Sequence, residues 1–171
     1  MPLTFLLGGA RSGKSGLGVR LAAEWEGPVV VIATAEVRDD SEMAARIARH
    51  RLERPAGWQT VEEPLDLIGE LGRAPDLAFV LVDCLTLWVA NAIEAGWSDE
   101  DVEQAAVDIS VLAAGRASPT VVVSNEIGMG VVPATPLGRS FRDLLGRVNT
   151  EFAARAERAC LVVAGRALEL T

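Results

Sequence analysis

Apolar residues enter this chain in two rhythms. Short unbroken runs occur at Leu3-Thr4-Phe5-Leu6-Leu7, Pro28 to Ala33, Leu77 to Asp83 and Thr120 to Ser124. Runs of that length, rich in Val, Ile and Leu, predict strands buried on both faces of a parallel sheet. Between them apolar residues recur at helical spacing. Gly16 to Trp25 puts Leu17, Leu21 and Ala22 on one face, and Asp40 to Arg54, Pro64 to Leu71, Leu85 to Ala95 and Ser98 to Ala114 also read as helices. Ser98 is the expected N-cap of the last of these, with acidic residues in its first turn.

A long helix is expected from Pro136 to about Glu157, capped by Thr135, with Pro136 in its first position. Leu137, Phe141, Leu144, Leu145, Val148 and Phe152 form its apolar stripe. Gln59 to Glu62 reads as a short strand. Cys160 to Ala164 and Ala167 to Leu170 flank Gly165-Arg166, a two-residue hairpin turn with glycine first. Strands alternating with helices predict an α/β fold. The sheet is mostly parallel, covered by helices on both faces, with an antiparallel C-terminal edge strand. At 171 residues the expectation is one domain, 1–171.

Composition narrows the classes of partner. A net charge of −8 argues against non-specific nucleic-acid binding, which needs many cations on one face. No apolar run approaches the roughly 18 residues of a membrane span, the longest, Ala78 to Ala90, being broken by Asp83. The first strand follows Met1-Pro2 directly, with no basic segment ahead of it as in a signal peptide. Cys84 and Cys160 lack metal-ligand spacing and suit a core in a reducing cytoplasm.

The candidate chemistry centres on Gly8-Gly9-Ala10-Arg11-Ser12-Gly13-Lys14-Ser15. This is the phosphate-loop pattern G-x-x-x-x-G-K-[ST], set between an expected strand and an expected helix. Glycines let backbone N–H groups close around phosphate oxygens, and the helix aims its positive end at the same anion. Lys14 adds charge for the terminal phosphates, and the Ser15 hydroxyl can ligate Mg²⁺. The loop predicts a nucleoside triphosphate ligand.

In a parallel sheet ligands gather at the carboxyl ends of strands. Those ends deliver Thr34 and Glu36, Asp83, and Ser124-Asn125-Glu126. Asp83 has the place of the carboxylate that holds Mg²⁺ in phosphate-loop enzymes, or caps the helix after it. Asn125 and Glu126 either orient a hydroxyl or base or act as caps. The segment Asn125 to Thr135, with Gly128, Gly130 and Pro133, is either a substrate lid or a plain connection.

Arg46, His50 and Arg54 recur at four-residue steps along the Asp40 to Arg54 helix. His50 is the chain's single histidine. Arginines around an imidazole disfavour its protonated form and neutralise an incoming phosphate chain. A neutral imidazole there can attack an α-phosphorus and take up a nucleotidyl group, and spacing permits this without establishing it.

These motifs together resemble the bifunctional adenosylcobinamide kinase/adenosylcobinamide-phosphate guanylyltransferase family of cobalamin biosynthesis. The resemblance runs through GGARSGKS at Gly8 to Ser15, IAT at Ile32 to Thr34 and EMAARIARH at Glu42 to His50. It continues in RP at Arg54-Pro55, W-x-T-x-E at Trp58 to Glu62 and VDCLTLWVAN at Val82 to Asn91. SNEIGMGVVP at Ser124 to Pro133, LGRSFRDLLGRVN at Leu137 to Asn149 and LVVAG at Leu161 to Gly165 complete it.

The resemblance implies phosphoryl transfer from ATP or GTP to the aminopropanol hydroxyl of adenosylcobinamide. GMP transfer from GTP to the resulting phosphate follows, giving adenosylcobinamide-GDP. It implies that His50 carries GMP covalently. Nucleotide contacts are implied at Gly8, Gly9, Ala10, Arg11, Ser12, Gly13, Lys14, Ser15, Thr34, Ala35, Glu36, Arg51, Leu52, Glu53, Arg54, Glu62 and Asp83. Mg²⁺ is expected on Ser15 and Asp83, and the family resemblance implies a homotrimer. One departure is visible: Asp39-Asp40-Ser41-Glu42 is one residue longer than the family's Asp-Asp-Glu, leaving the register around His50 unchanged.

Overall fold

The computed structural model describes residues 3–35 and 54–170. The expected helix from Asp40 to Arg54, with Arg46 and His50 on it, therefore lies outside the described residues but for its last residue, as do Glu36, Arg51, Leu52 and Glu53.

Seven strands form one sheet in the order β3-β2-β4-β5-β1-β6-β7. They are β1 (Leu3–Gly8), β2 (Val29–Ala33), β3 (Gln59–Glu62), β4 (Phe79–Asp83), β5 (Thr120–Asn125), β6 (Arg158–Val163) and β7 (Arg166–Leu170). All neighbours are parallel except β6 and β7, which pair antiparallel at one edge. The described helices are α1 (Lys14–Ala23), α2 (Leu67–Arg73), α3 (Leu85–Glu94), α4 (Asp99–Gly115) and α5 (Pro136–Arg155).

The apolar runs are unbroken because both faces are covered. Alternate residues of each central strand enter opposite cores. Val30, Ile32, Val80, Val82 and Val122 join Trp88, Ile109, Leu144 and Phe152 under α2 to α5. Val29, Val31, Leu81, Val121 and Val123 pack on the other face, against Ala22, Leu17 and Leu21 of α1. Gly18 lets α1 approach the sheet closely, since a Cβ there would lie 2.9 Å from a Leu81 methyl.

Local signals set most boundaries. Ser98 accepts from Asp101 N while the Asp101 carboxylate accepts from Ser98 N, a complete capping box that holds the Asp101 carboxyl below its usual range. Thr135 caps α5, with Pro136 at its start.

Three expectations are corrected. Leu137, in the first turn of α5, is 67% exposed, and the stripe meets the core only from Phe141 onward. The helix expected from Pro64 begins at Leu67, where Asp66 accepts from Gly69 N. The hairpin turns on Ala164 and Gly165, both at positive φ (50° and 77°), with Val163 opposite Arg166. Positive φ at both central residues is the primed turn that suits strand twist, so Gly165 takes its second place, not its first.

Candidate active site at the phosphate loop

The loop between β1 and α1 is built by its glycines in different ways. Gly13 caps α1 at φ 95°, a left-handed conformation, and a Cβ on it would meet the Gly165 Cα at 3.0 Å. Gly8 lies against β6: a Cβ there would be 2.5 Å from the Val162 carbonyl oxygen and 2.7 Å from Ser12 Oγ. Arg11 also takes a left-handed conformation, at φ 57°. Ser12 N donates to Gly9 O at 3.2 Å, and Gly165 N donates to Ser12 O at 2.7 Å, so the β6–β7 hairpin buttresses the loop from behind.

Lys14 is 6% exposed and its Nζ donates to Gly9 O at 3.0 Å, across the mouth of the loop. Ser15 Oγ donates to Asp83 Oδ1 at 3.2 Å, joining the first turn of α1 to the carboxyl end of β4. Asp83 lies on the α1 side of the sheet because Phe79 and Leu81, four and two residues earlier, do. Two hard oxygen donors at that separation fit a small divalent cation completed by phosphate and water oxygens.

Gly8 to Ser15 and Asp83 thus come together as the sequence pattern predicts. Thr34 lies beside them in a different capacity. It is fully buried, its Oγ1 donates to Cys84 O at 2.7 Å and accepts from Cys84 N at 2.9 Å, and its own N donates to Asp83 O. That hydroxyl fastens β2 to the residue after Asp83. Burial, with the Asp83 charge next to it, pushes the Cys84 thiol up to about 11.

Ala35 follows Thr34 at the same edge. Glu62 ends β3, and Arg54 Nη1 donates to Thr60 Oγ1 at 3.4 Å. By strand order β3 is four strands from β1, roughly 19 Å at about 4.8 Å per strand. Glu62 and Arg54 are therefore at the far side of the ligand edge from the phosphate loop.

Glu126 is a cap. Its Oε1 accepts from Gly128 N and Met129 N, and its N donates to Gly8 O at 3.0 Å. A buried polar network missed by motif reading lies beneath: Ser124 Oγ donates to Asn149 Oδ1 at 2.6 Å and lies 3.5 Å from Thr86 Oγ1, while Asn91 Nδ2 donates to Thr34 O at 2.8 Å. Asn91 and Asn149 sit mid-helix among apolar residues, and that misplacement was the available signal.

Fold and loop together define a phosphate-loop nucleotide-binding α/β enzyme. Among solved structures, an ATPase of the type III secretion system of pathogenic bacteria shares that fold. Its TM-score is 0.57 at 11% identity, over 93% of this chain and 50% of that one. The family profile described as cobinamide kinase / cobinamide phosphate guanyltransferase matches residues 4–170, and the chain belongs to that family. The bifunctional adenosylcobalamin biosynthesis protein CobP of Pseudomonas aeruginosa is 43% identical over 168 residues, 96% of this chain and 95% of its own length. The corresponding protein CobU of Salmonella typhimurium is 41% identical over 177 residues, 95% of this chain and 96% of its own. The chain is thus a kinase and guanylyltransferase of cobalamin biosynthesis. No helix among the described residues is long and apolar enough to cross a membrane.

Proposed function

We propose that the chain runs two reactions in order on one corrinoid. The terminal phosphoryl group of ATP or GTP passes to the aminopropanol hydroxyl of adenosylcobinamide. GMP from GTP then passes through a covalent guanylyl-His50 to the new phosphate, releasing pyrophosphate and giving adenosylcobinamide-GDP. The observation that carries this reading is the Ser15–Asp83 pair, at 3.2 Å, beside a loop closed by Lys14 on Gly9.

Phosphoryl transfer asks mainly for positioning and charge neutralisation. Backbone N–H groups of the loop bind the phosphate chain, and Lys14 exchanges the Gly9 carbonyl for terminal phosphate oxygens. Ser15 and Asp83 are the residues that would hold Mg²⁺, which when bound neutralises phosphate charge. The covalent route of guanylyl transfer needs a protein nucleophile, and His50 fills that role by resemblance; Arg51, Leu52, Glu53 and Arg54 would flank the same nucleotide. Glu36 and Glu62 belong to the nucleotide set of this reading. The corrinoid is assigned to Asn125 to Arg139, whose exposed Met129, Val131, Val132 and Leu137 offer apolar surface beside the loop. A homotrimer in a cytoplasmic setting completes the proposal.

Incubation with α-labelled GTP and Mg²⁺ tests the covalent step. Acid-labile, alkali-stable protein labelling that disappears in His50→Ala is expected, and unchanged labelling in that variant rejects His50. Following cobinamide, its phosphate and its GDP derivative by mass, with GTP alone, tests both reactions. Formation of the phosphate without the GDP derivative would leave a plain kinase.

A further inference from the structure

β5 runs between β1 and β4, so its carboxyl end lies between the phosphate loop and the Ser15–Asp83 pair. Gly8 is paired in register with Asn125, and Asp83 with Val123. Val121 and Val123 point to the α1 side of the sheet, while Ser124 points to the other side, bonded to Asn149 of α5. Strand alternation therefore turns the Asn125 side chain to the α1 side. It is the next residue on that face beyond Val123, level with Gly8 and one pleat past the level of Asp83.

The backbone of Asn125 is held firmly from the opposite side. Its N donates to Thr86 Oγ1 at 2.8 Å, its O accepts from Asn149 Nδ2 at 3.1 Å, and the following N donates to Gly8 O. Two side chains of the buried network beneath the sheet edge, Thr86 and Asn149, thus fix this one residue. Yet Asn125 Oδ1 is itself buried and has no hydrogen-bond partner among the described residues, a state it shares with Ser12 Oγ above Gly8. Leaving a buried amide oxygen unpaired is destabilising. A fixed, unsatisfied polar group next to a phosphate-binding turn is what a positioned substrate contact requires.

We propose that Asn125 is the residue that orients the acceptor hydroxyl for phosphoryl transfer, its amide oxygen accepting the hydrogen of that hydroxyl. The inference rests on the kinase reading above and names a contact that reading lacks. In the reaction the hydroxyl oxygen forms a bond to the terminal phosphorus. The bond from that phosphorus to the bridging oxygen breaks, its electron pair leaving with the nucleoside diphosphate, and the hydroxyl proton passes to solvent. An amide does not titrate near neutrality, so Asn125 holds the nucleophile in line and does not remove its proton.

The test uses the full chain with GTP and adenosylcobinamide, following cobinamide phosphate by mass. Asn125→Ala is expected to lower kcat at least 100-fold, with nucleotide affinity within threefold and Tm within a degree or two, since the side chain makes no bond within the described fold. Asn125→Asp keeps the shape but sets a charge beside the phosphates, and should weaken nucleotide binding at least tenfold. Thermal unfolding is followed alongside, because a structural role would lower Tm where an orienting role lowers kcat. A kcat for Asn125→Ala within threefold of the unsubstituted chain overturns the proposal, as does an Asp variant that binds nucleotide normally. If the unsubstituted chain makes no cobinamide phosphate, the kinase reading itself fails, and the two failures are told apart by that control.

Discussion

Ser15 Oγ and Asp83 Oδ1 meet at 3.2 Å although 68 positions separate them in the chain. The contact exists because α1 crosses the sheet face from the loop toward β4, packing Leu17 and Ala22 on Leu81 and its neighbours. If the pair holds one cation, its members act as a unit. Ser15→Ala and Asp83→Asn should each lower kcat for the kinase reaction by roughly 10²–10³, the scale of losing one preorganised electrostatic contact. The double variant should lose much less than the product of the two. Multiplicative losses in steady-state assays across a Mg²⁺ titration would show that they act separately.

Gly13 offers a test of the loop's architecture. Its φ of 95°, and a Gly165 Cα only 3.0 Å from where an alanine Cβ would stand, leave no relaxed place for that residue. Holding a non-glycine residue in a left-handed conformation costs about 1–2 kcal/mol. Displacing the hairpin that buttresses Ser12 adds to this. Gly13→Ala should lower Tm by several degrees and raise the nucleotide Kd at least tenfold. Gly9→Ala, where a Cβ would meet nothing within 4 Å, should leave Tm unchanged. Equal melting of the three proteins would reject this account of the loop.

The contrast between Gly13 and Thr34 marks how far the sequence could be read. Gly13, Lys14 and Ser15 were legible because a local pattern between a strand and a helix fixes their geometry within a few residues. Buried strands were legible because runs such as VVVIA and FVLVD have no amphipathic alternative in a covered sheet. The hairpin's turn position was not, since Gly165 satisfies either primed turn and only the register of β6 against β7 decides. Nor could the sequence say that Thr34 spends its hydroxyl on Cys84, or that Thr86 and Asn149 converge on Asn125. Those partners are brought together by the strand order, which no local spacing encodes.

Thr34 should therefore behave as a structural residue. Its hydroxyl both donates to and accepts from the backbone of Cys84 at full burial. Thr34→Val keeps the volume and strands Cys84 N, while Cys84 O keeps its bond from Trp88 N, at a cost of about 1–3 kcal/mol. Urea unfolding should show that loss. Nucleotide affinity measured well below the unfolding midpoint should change less than threefold. A variant of unaltered stability with impaired nucleotide binding would show instead that the hydroxyl serves the nucleotide contact implied at Thr34 by the family resemblance.

Cys84 gives the pH dependence its sign. Burial first, and then the neighbouring Asp83 carboxylate, raise its thiol from 9.0 to about 11 in the folded chain. Between those values the unfolded chain has released a proton that the folded chain retains. Stability from this group is therefore complete below pH 9 and is lost as pH rises toward 11, roughly 3 kcal/mol in all. Cys84→Ala should flatten that stretch of the stability curve while sparing the backbone groups that Thr34 engages. Denaturant midpoints at half-unit steps from about pH 8 to 11 decide it: parallel curves for the two proteins would mean that the thiol plays no part in alkaline unfolding. The same burial predicts that a thiol reagent at about pH 8 labels Cys84 only through opening of the fold, at a rate that follows global stability and not thiolate fraction.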